Sequence, residues 1–282
     1  DDPLTVAVLT PQEVYNEFSS GSPDAQSFRK LLKMFYDRQA SSGKPLRYAL
    51  FLSRPNYDNR SLTPETKTLG YPFLPAWFTD RGLYDNDSYT TDDIFGFLED
   101  YSGTNTGSDK LSIAVGRMPL TSQADAKSAV DKLVKYYEKM PRSNWKNNIL
   151  IVADDQDNGE HLHQADDFFW HFLTESDGHS SVFYKKLYTD QYELISNVYE
   201  EGRKDFYRYL DEGVMWWTYT GHANESSLTA EGLVTYTDLN NFYLRHWPVV
   251  YAATCDFLRW DAPTISGAEI LFKNPNGGVI AA

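Results

Sequence analysis

Two residues able to do nucleophilic chemistry stand at matching places in this 282-residue chain. The run "VMWWTYT" (214–220) leads into Gly221-His222, and "VVYAAT" (249–254) leads into Cys255, the sole cysteine. Taken singly, each has an ordinary explanation. Free cysteine is among the most buried residue types, and a lone histidine is commonly a hydrogen-bonded core or turn residue. Placed together at the ends of consecutive apolar strands, they point elsewhere. A thiolate can attack a carbonyl carbon, while an imidazole takes the thiol proton and returns it to the leaving amine. Backbone N–H groups in the turns after both strands are placed to hold the resulting oxyanion.

That chemistry requires elements that bring the two residues to one crevice. "NILIVA", a helix over about 164–174, "VFYKKLY", a helix over about 192–210 and "VMWWTYT" come one after another. A short helix near Asp238, "VVYAAT", a helix near Ser266 and "GGVIA" complete the series. Apolar strands separated by crossover helices form a parallel sheet covered on both faces. Ligands bind beyond the carboxyl ends of such strands, and neighbouring strands lie about 4.8 Å apart. If the two strands are neighbours, thiol and imidazole meet the same carbonyl.

Upstream, "TPQE" (10–13) is a capping box with proline at the first helical position. A helix over 24–39 carries Phe28, Leu31, Leu32 and Phe35 on one face. "RYALFLS" and "LSIAVG" read as strands, 56–107 is rich in turn residues, and 122–139 is an amphipathic helix. "MPRSNWKNN" (140–148) is the expected seam, dividing an N-terminal subdomain, 1–141, from a catalytic one, 142–282.

With 40 acidic against 26 basic residues and a net charge of −14, the chain lacks the basic surface that nucleic acid requires. Hydrophobic residues at 41% and aromatics at 15% support a packed core rather than disorder. No apolar run approaches the roughly 18–20 residues that span a bilayer. A single cysteine excludes an internal disulfide. The chain starts Asp1-Asp2-Pro3 and stops at "NPNGGVIAA", which reads as a piece of a longer protein, with "GGVIAA" the start of a strand that continues.

"YTGHANESS" followed by "ATCDFLRWDAPTISGAEILFKNPNGGVIA" resembles the gingipain-type cysteine peptidases, nearest to their PorU branch, the type IX secretion sortases of Bacteroidetes. The resemblance extends upstream through "SYTTDDIFGFLED", "LSIAVGRMPLTSQADAKSAVDKLVKYYE" and "WKNNILIVADDQDNGEHLHQADD". Histidine before cysteine is the caspase order, not the papain one. The resemblance implies an α/β, caspase-like three-layer α/β/α sandwich with a mostly parallel sheet in two subdomains. It places the catalytic histidine on His222 and the nucleophile on Cys255. The carboxylate that orients the histidine falls on Asp154, with Asp155 as the alternative. The oxyanion falls to the N–H groups of Cys255 and Ala223, where the family usually has glycine at the latter; alanine keeps the N–H but not the freedom for positive φ.

The activity this resemblance implies is that of a cysteine endopeptidase or transpeptidase at the cell surface or outer membrane. It would remove the C-terminal sorting domain of exported cargo through a thioester, with an amine of an anionic lipopolysaccharide as acceptor and other secretion-system subunits as partners. The alternatives are a secreted general protease of the same fold and a degenerate module that binds without cleaving. No cofactor is implied. In the arginine-specific gingipains an acid two residues after the motif matching "DNGE" (157–160) binds the basic P1 side chain; the same count lands here on Leu162, with Asp166 or Asp167 the substitutes if the register slips. "DNDSYTTDD" (85–93) clusters oxygen ligands suited to structural calcium without the spacing of a known calcium loop, and a solvated acidic loop is the preferred reading. In "DDQDNGEHLH" (154–163), His161 and His163 beside three aspartates are metal-ligand types, yet exposed histidines on a polar loop are the commoner case. Trp216 and Trp217 are read as strand core.

Overall fold

The computed structural model describes residues 4–70, 73–79, 89–103, 108–175 and 181–282. The chain forms two compact units, Asp1–Ser122 and Gln123–Ala282.

In the first unit the capping box at Thr10 opens α1 (Pro11–Phe18), the Glu13 carboxylate accepting the Thr10 N–H at 2.7 Å. Asp24 caps α2 (Ala25–Ser42). Of its expected apolar face, Phe28 and Leu32 are buried, Leu31 is half-buried and Phe35 points outward. Strand β1 (Tyr48–Leu52), helix α3 (Pro64–Lys67), strands β2 (Trp77–Phe78) and β3 (Thr90–Thr91) and strand β4 (Ala114–Met118) complete the unit. β1 and β4 pair in parallel, Tyr48 opposite Ala114. β4 starts three residues later than "LSIAVG" suggests, because the Ser112 N–H is committed to the Gly96 carbonyl at 2.8 Å. Phe28, Phe51 and Phe95 stack tilted or edge-on in the core, an arrangement aromatic quadrupoles favour. The fully buried side chain of Arg117 is held by both oxygens of Asp92, at 2.6 and 2.8 Å. Asp92 belongs to the acidic run 85–93; residues 85–88 of that run lie outside the described residues.

The second unit runs α4 (Gln123–Glu138), β5 (Asn148–Ala153), α5 (Glu160–Glu175), β6 (Phe183–Tyr188), α6 (Glu200–Glu212) and β7 (Trp216–Thr220). A small hairpin of β8 (Ala223–Asn224) and β9 (Ser227–Leu228) comes next, then α7 (Tyr236–Asn240), β10 (Val249–Ala253) and α8 (Gly267–Lys273). The sheet is parallel, in the order β10-β7-β5-β6. Ala281 bridges Val249 in parallel on the outer side of β10, its carbonyl accepting the Val250 N–H at 2.9 Å.

The period of two decides what faces what. Leu150 and Val152 of β5 and Trp217 and Tyr219 of β7 point into a core shared with Tyr136, Phe206, Leu239 and Leu271 of α4, α6, α7 and α8. Ile151 and Ala153 point the other way, onto Ala165 of α5. Helices therefore cover both faces. Trp217 is strand core, whereas Trp216 is 43% exposed. Helix α4 packs with the second unit through Tyr136, so the division observed precedes this helix, whereas the composition-based seam at 140–148 lies after it. Helix α6 begins eight residues later than its apolar pattern suggests. Ile195 and Val198 exchange hydrogen bonds at 3.0 Å across left-handed Ser196 and Asn197, a turn that delays the helix. Among the described residues no helix is long and apolar enough to cross a membrane.

Lys132 of α4 is buried, its ammonium donating to the Phe272 carbonyl at 2.9 Å and facing the Trp247 ring. Burial pulls its pKa down to about 7. An unfolded lysine titrates near 10.4, so the folded state binds fewer protons between these values and this group favours folding more as pH rises through them. Lys132→Met is expected to raise Tm by about 2–4 °C at pH 6 and by less at pH 9. Melting curves at the two pH values check this; an equal or larger gain at pH 9 would contradict it.

Candidate active site

β7 and β10 are direct neighbours, and their register pairs Thr220 with Ala253. His222 and Cys255 each lie two residues past that pair, at the same level beyond the carboxyl edge of the sheet. The Cys255 thiol is exposed. After it the chain turns sharply: Asp256 is left-handed at φ 53°, and the Cys255 carbonyl accepts the Phe257 N–H at 2.6 Å. Non-glycine residues held there concentrate at functional sites, and aspartate tolerates the region better than most. Ala223 begins β8, opposite Leu228, and is not among the left-handed residues, so alanine fits where glycine was expected.

The turn between β7 and His222 is built around a buried carboxylate. Asp154, directly after β5, is fully buried and accepts the His222 backbone N–H at 2.5 Å and the Gln156 N–H at 3.3 Å. Nδ1 of His161 lies 2.5 Å from Asp154 Oδ1. The Tyr219 hydroxyl donates to the His222 carbonyl at 2.6 Å and lies 3.3 Å from Asp154 Oδ2. Burial, with the Asp154 charge adding to it, holds this hydroxyl far above the usual phenol range, so it stays a donor. Gly221 lets these groups close up. A Cβ there would sit 2.4 Å from Asp154 Oδ2 and 2.6 Å from the Tyr219 oxygen.

Asp154 thus grips the main chain of His222, while the imidazole turns to a different carboxylate. His222 Nε2 is 2.8 Å from Asp157 Oδ2. Asp157, Asn158 and Gly159 form a turn in which all three are left-handed, at φ 54°, 57° and 80°. "Asp-Asn-Gly" signals such a turn, although which way the Asp157 carboxylate points is a matter of tertiary packing. His161, in the first turn of α5, places its ring edge-on to His222 at a centroid distance of 5.0 Å. Asp155 is directed away from His222: it accepts from the Thr189 hydroxyl at 2.9 Å and the Tyr199 hydroxyl at 2.9 Å. His163 is exposed and stands outside this cluster. Leu162 is half-buried against the Ile151, Ala153 and Ala165 core. Asp166 is paired with Lys186 and accepts the Tyr188 hydroxyl at 2.7 Å, which hold its carboxyl below the usual range.

Comparison with known proteins agrees with this architecture. The chain matches the model of peptidase family C25 over residues 2–282. No curated protein sequence matches it. In fold it is similar to the Arg-specific cysteine proteinase gingipain R, with a TM-score of 0.63 at 18% identity, 94% of this chain covering 53% of that one. It is also similar to the complex of Porphyromonas gingivalis RgpB pro- and mature domains, with a TM-score of 0.62 at 17% identity, 94% of this chain covering 54% of that one. The chain spans about half the length of these solved structures. They share with it a caspase-like α/β fold. With the whole of its described sheet and both strand-end residues inside the matched region, the chain belongs to peptidase family C25, the gingipain family of cysteine peptidases.

Proposed function

We propose that this protein is a cysteine endopeptidase of the sorting type, with Cys255 as nucleophile and His222 as the proton carrier. One observation carries the reading: the paired register that sets the exposed thiol and the imidazole at the same level on adjacent strands. The Cys255 sulfur adds to the scissile carbonyl, and the N–H groups of Cys255 and Ala223 receive the oxyanion. The C–N bond breaks as the amine leaves with the proton that the imidazole took from the thiol. Water or an acceptor amine then attacks the thioester, giving up its proton to His222 and releasing the thiol. Asp157 orients the imidazole. Asp154 acts one step further back, holding the His222 main chain. The substrates are exported proteins carrying a C-terminal sorting domain, and the acceptor is an amine of anionic lipopolysaccharide, at the cell surface.

The surroundings of Leu162 support a sorting role over digestion at basic residues. At position 162 a guanidinium meets an apolar side chain packed on the Ile151, Ala153 and Ala165 core in place of a carboxylate, and a cation left unpaired costs several kcal/mol. Asp166 is already engaged by Lys186. Cleavage of a peptide library is therefore expected to show no preference for Arg or Lys at P1 and a taste for small or uncharged residues. Leu162→Asp is expected to create cleavage after basic residues. The deciding test is a cargo polypeptide with its sorting domain, incubated with and without an amine and followed by mass spectrometry. Release of the intact sorting domain, with amine attached to the cargo, is the expected result. Cleavage at scattered sites, or strongly after Arg or Lys, would favour a general protease.

A further inference from the structure

Around the proposed catalytic imidazole the molecule gathers more nitrogen and oxygen ligands than acyl transfer uses. One ligand atom each from Asp157, His161 and His222 lies within 4.8 Å of the others. His222 Nε2 and Asp157 Oδ2 are 2.8 Å apart, and His161 Nε2 and Asp157 Oδ2 are 3.6 Å apart. A tetrahedral zinc ion with bonds of about 2.0–2.1 Å sets its ligand atoms about 3.3 Å from one another. These two separations fall on either side of that value and no pair exceeds 4.8 Å, so side-chain rotations alone can close the set around an ion.

A second observation concerns tautomers. His161 Nδ1 sits 2.5 Å from the buried Asp154 carboxylate, which accepts and does not donate. Nδ1 therefore carries the hydrogen, and in the neutral ring the lone pair is on Nε2, the atom that faces Asp157 and His222. A buried carboxylate holding the far nitrogen of a histidine is the support that zinc-binding histidines use. Two imidazoles and one carboxylate suit zinc and do not suit calcium or magnesium, which take oxygen. His222 and Asp157 are exposed, so an ion can reach the site from solvent.

We propose that Asp157, His161 and His222 form a reversible zinc site, with the fourth position left to water, and that zinc bound there silences the protein. Its inhibitory consequence rests on the reading of His222 as the proton carrier: bound at Nε2, the metal displaces the hydrogen that faces Asp157 and leaves the ring's one hydrogen on Nδ1, which then has no lone pair to accept the thiol proton. The binding itself does not rest on that reading.

The test is zinc binding to the metal-free protein by calorimetry, run beside inhibition of peptide cleavage. One ion per chain is expected, with Cys255→Ala leaving the affinity unchanged. Asp157→Asn, at an exposed position, and His161→Gln each alter a ligand and are expected to weaken binding by at least the roughly 10- to 100-fold that loss of a mere supporting partner costs. Half-inhibition should move with the dissociation constant across the variants, and calcium should neither bind there nor inhibit. Absence of binding at about 100 µM free zinc would overturn the proposal. So would affinity that Cys255→Ala abolishes while Asp157→Asn and His161→Gln leave it intact, because the thiolate would then be the ligand. If zinc binds as described without inhibiting, the metal site stands and the inhibition fails, and with it the role given to His222.

Discussion

Replacing Cys255 with alanine is expected to lower acyl transfer by at least about 10³-fold while leaving Tm within about 2 °C of the parent. The thiol is exposed at a strand end, so its removal opens no cavity. The loss is chemical. Without the sulfur no thioester forms, and a mass spectrum of the denatured protein after brief exposure to cargo should lose the acyl adduct. His222→Ala should fall to a similar level, and the double variant should be hardly worse than either, because the proposed mechanism has the two residues act on one proton. A large fall in Tm with cleavage retained would overturn the assignment of Cys255 as nucleophile.

The second large effect is expected at Asp154. This carboxylate is fully buried and accepts from the His222 main chain, the Gln156 main chain and the His161 ring. Asp154→Ala strands those donors in the interior, and removing one member of such a buried network costs about 3–5 kcal/mol. At about 2–4 °C per kcal/mol for a unit of this size, Tm should drop by roughly 10 °C. Activity should fall with it as the His222 turn loosens. Asp154→Asn keeps one acceptor oxygen and should recover part of both.

Asp157→Asn is the contrast that separates the two carboxylates. It is exposed and touches the imidazole, so Tm and KM should hold while kcat falls at least about tenfold. Its pH–rate profile should shift as well, which a merely structural change would not produce. Equal effects of Asp154→Ala and Asp157→Asn on Tm would remove the distinction between a residue that holds the turn and one that orients the ring.

Local pattern was enough for much of the architecture. "NILIVA" corresponds to β5 residue for residue, and "TPQE" to a capping box, since capping and strand alternation depend on near neighbours. The start of α6 was not legible. Its displacement comes from the turn at Ser196-Asn197, which a helical periodicity does not register. Phe35 shows the same limit: it shares the helical spacing of Phe28 yet lies on the open side of α2.

For the site, the residue order determined the candidates and the topology decided their meaning. His222 and Cys255 can be picked out from apolar runs that end in reactive side chains. That β7 and β10 are neighbours, in the register Thr220 to Ala253, depends on the crossovers between them. The carboxylates depend on more still. Asp154, Asp155 and Asp157 occur within four residues and are chemically alike, so no local rule tells them apart. Burial against Tyr219 and Gly221 turns Asp154 to the main chain of His222, Thr189 and Tyr199 draw Asp155 away, and the left-handed turn at 157–159 carries Asp157 to the imidazole. The sequence by itself determined which groups are available. Which of them touch was decided only by close packing in three dimensions, because contact distances of a few ångströms depend on where distant strands bring the chain together.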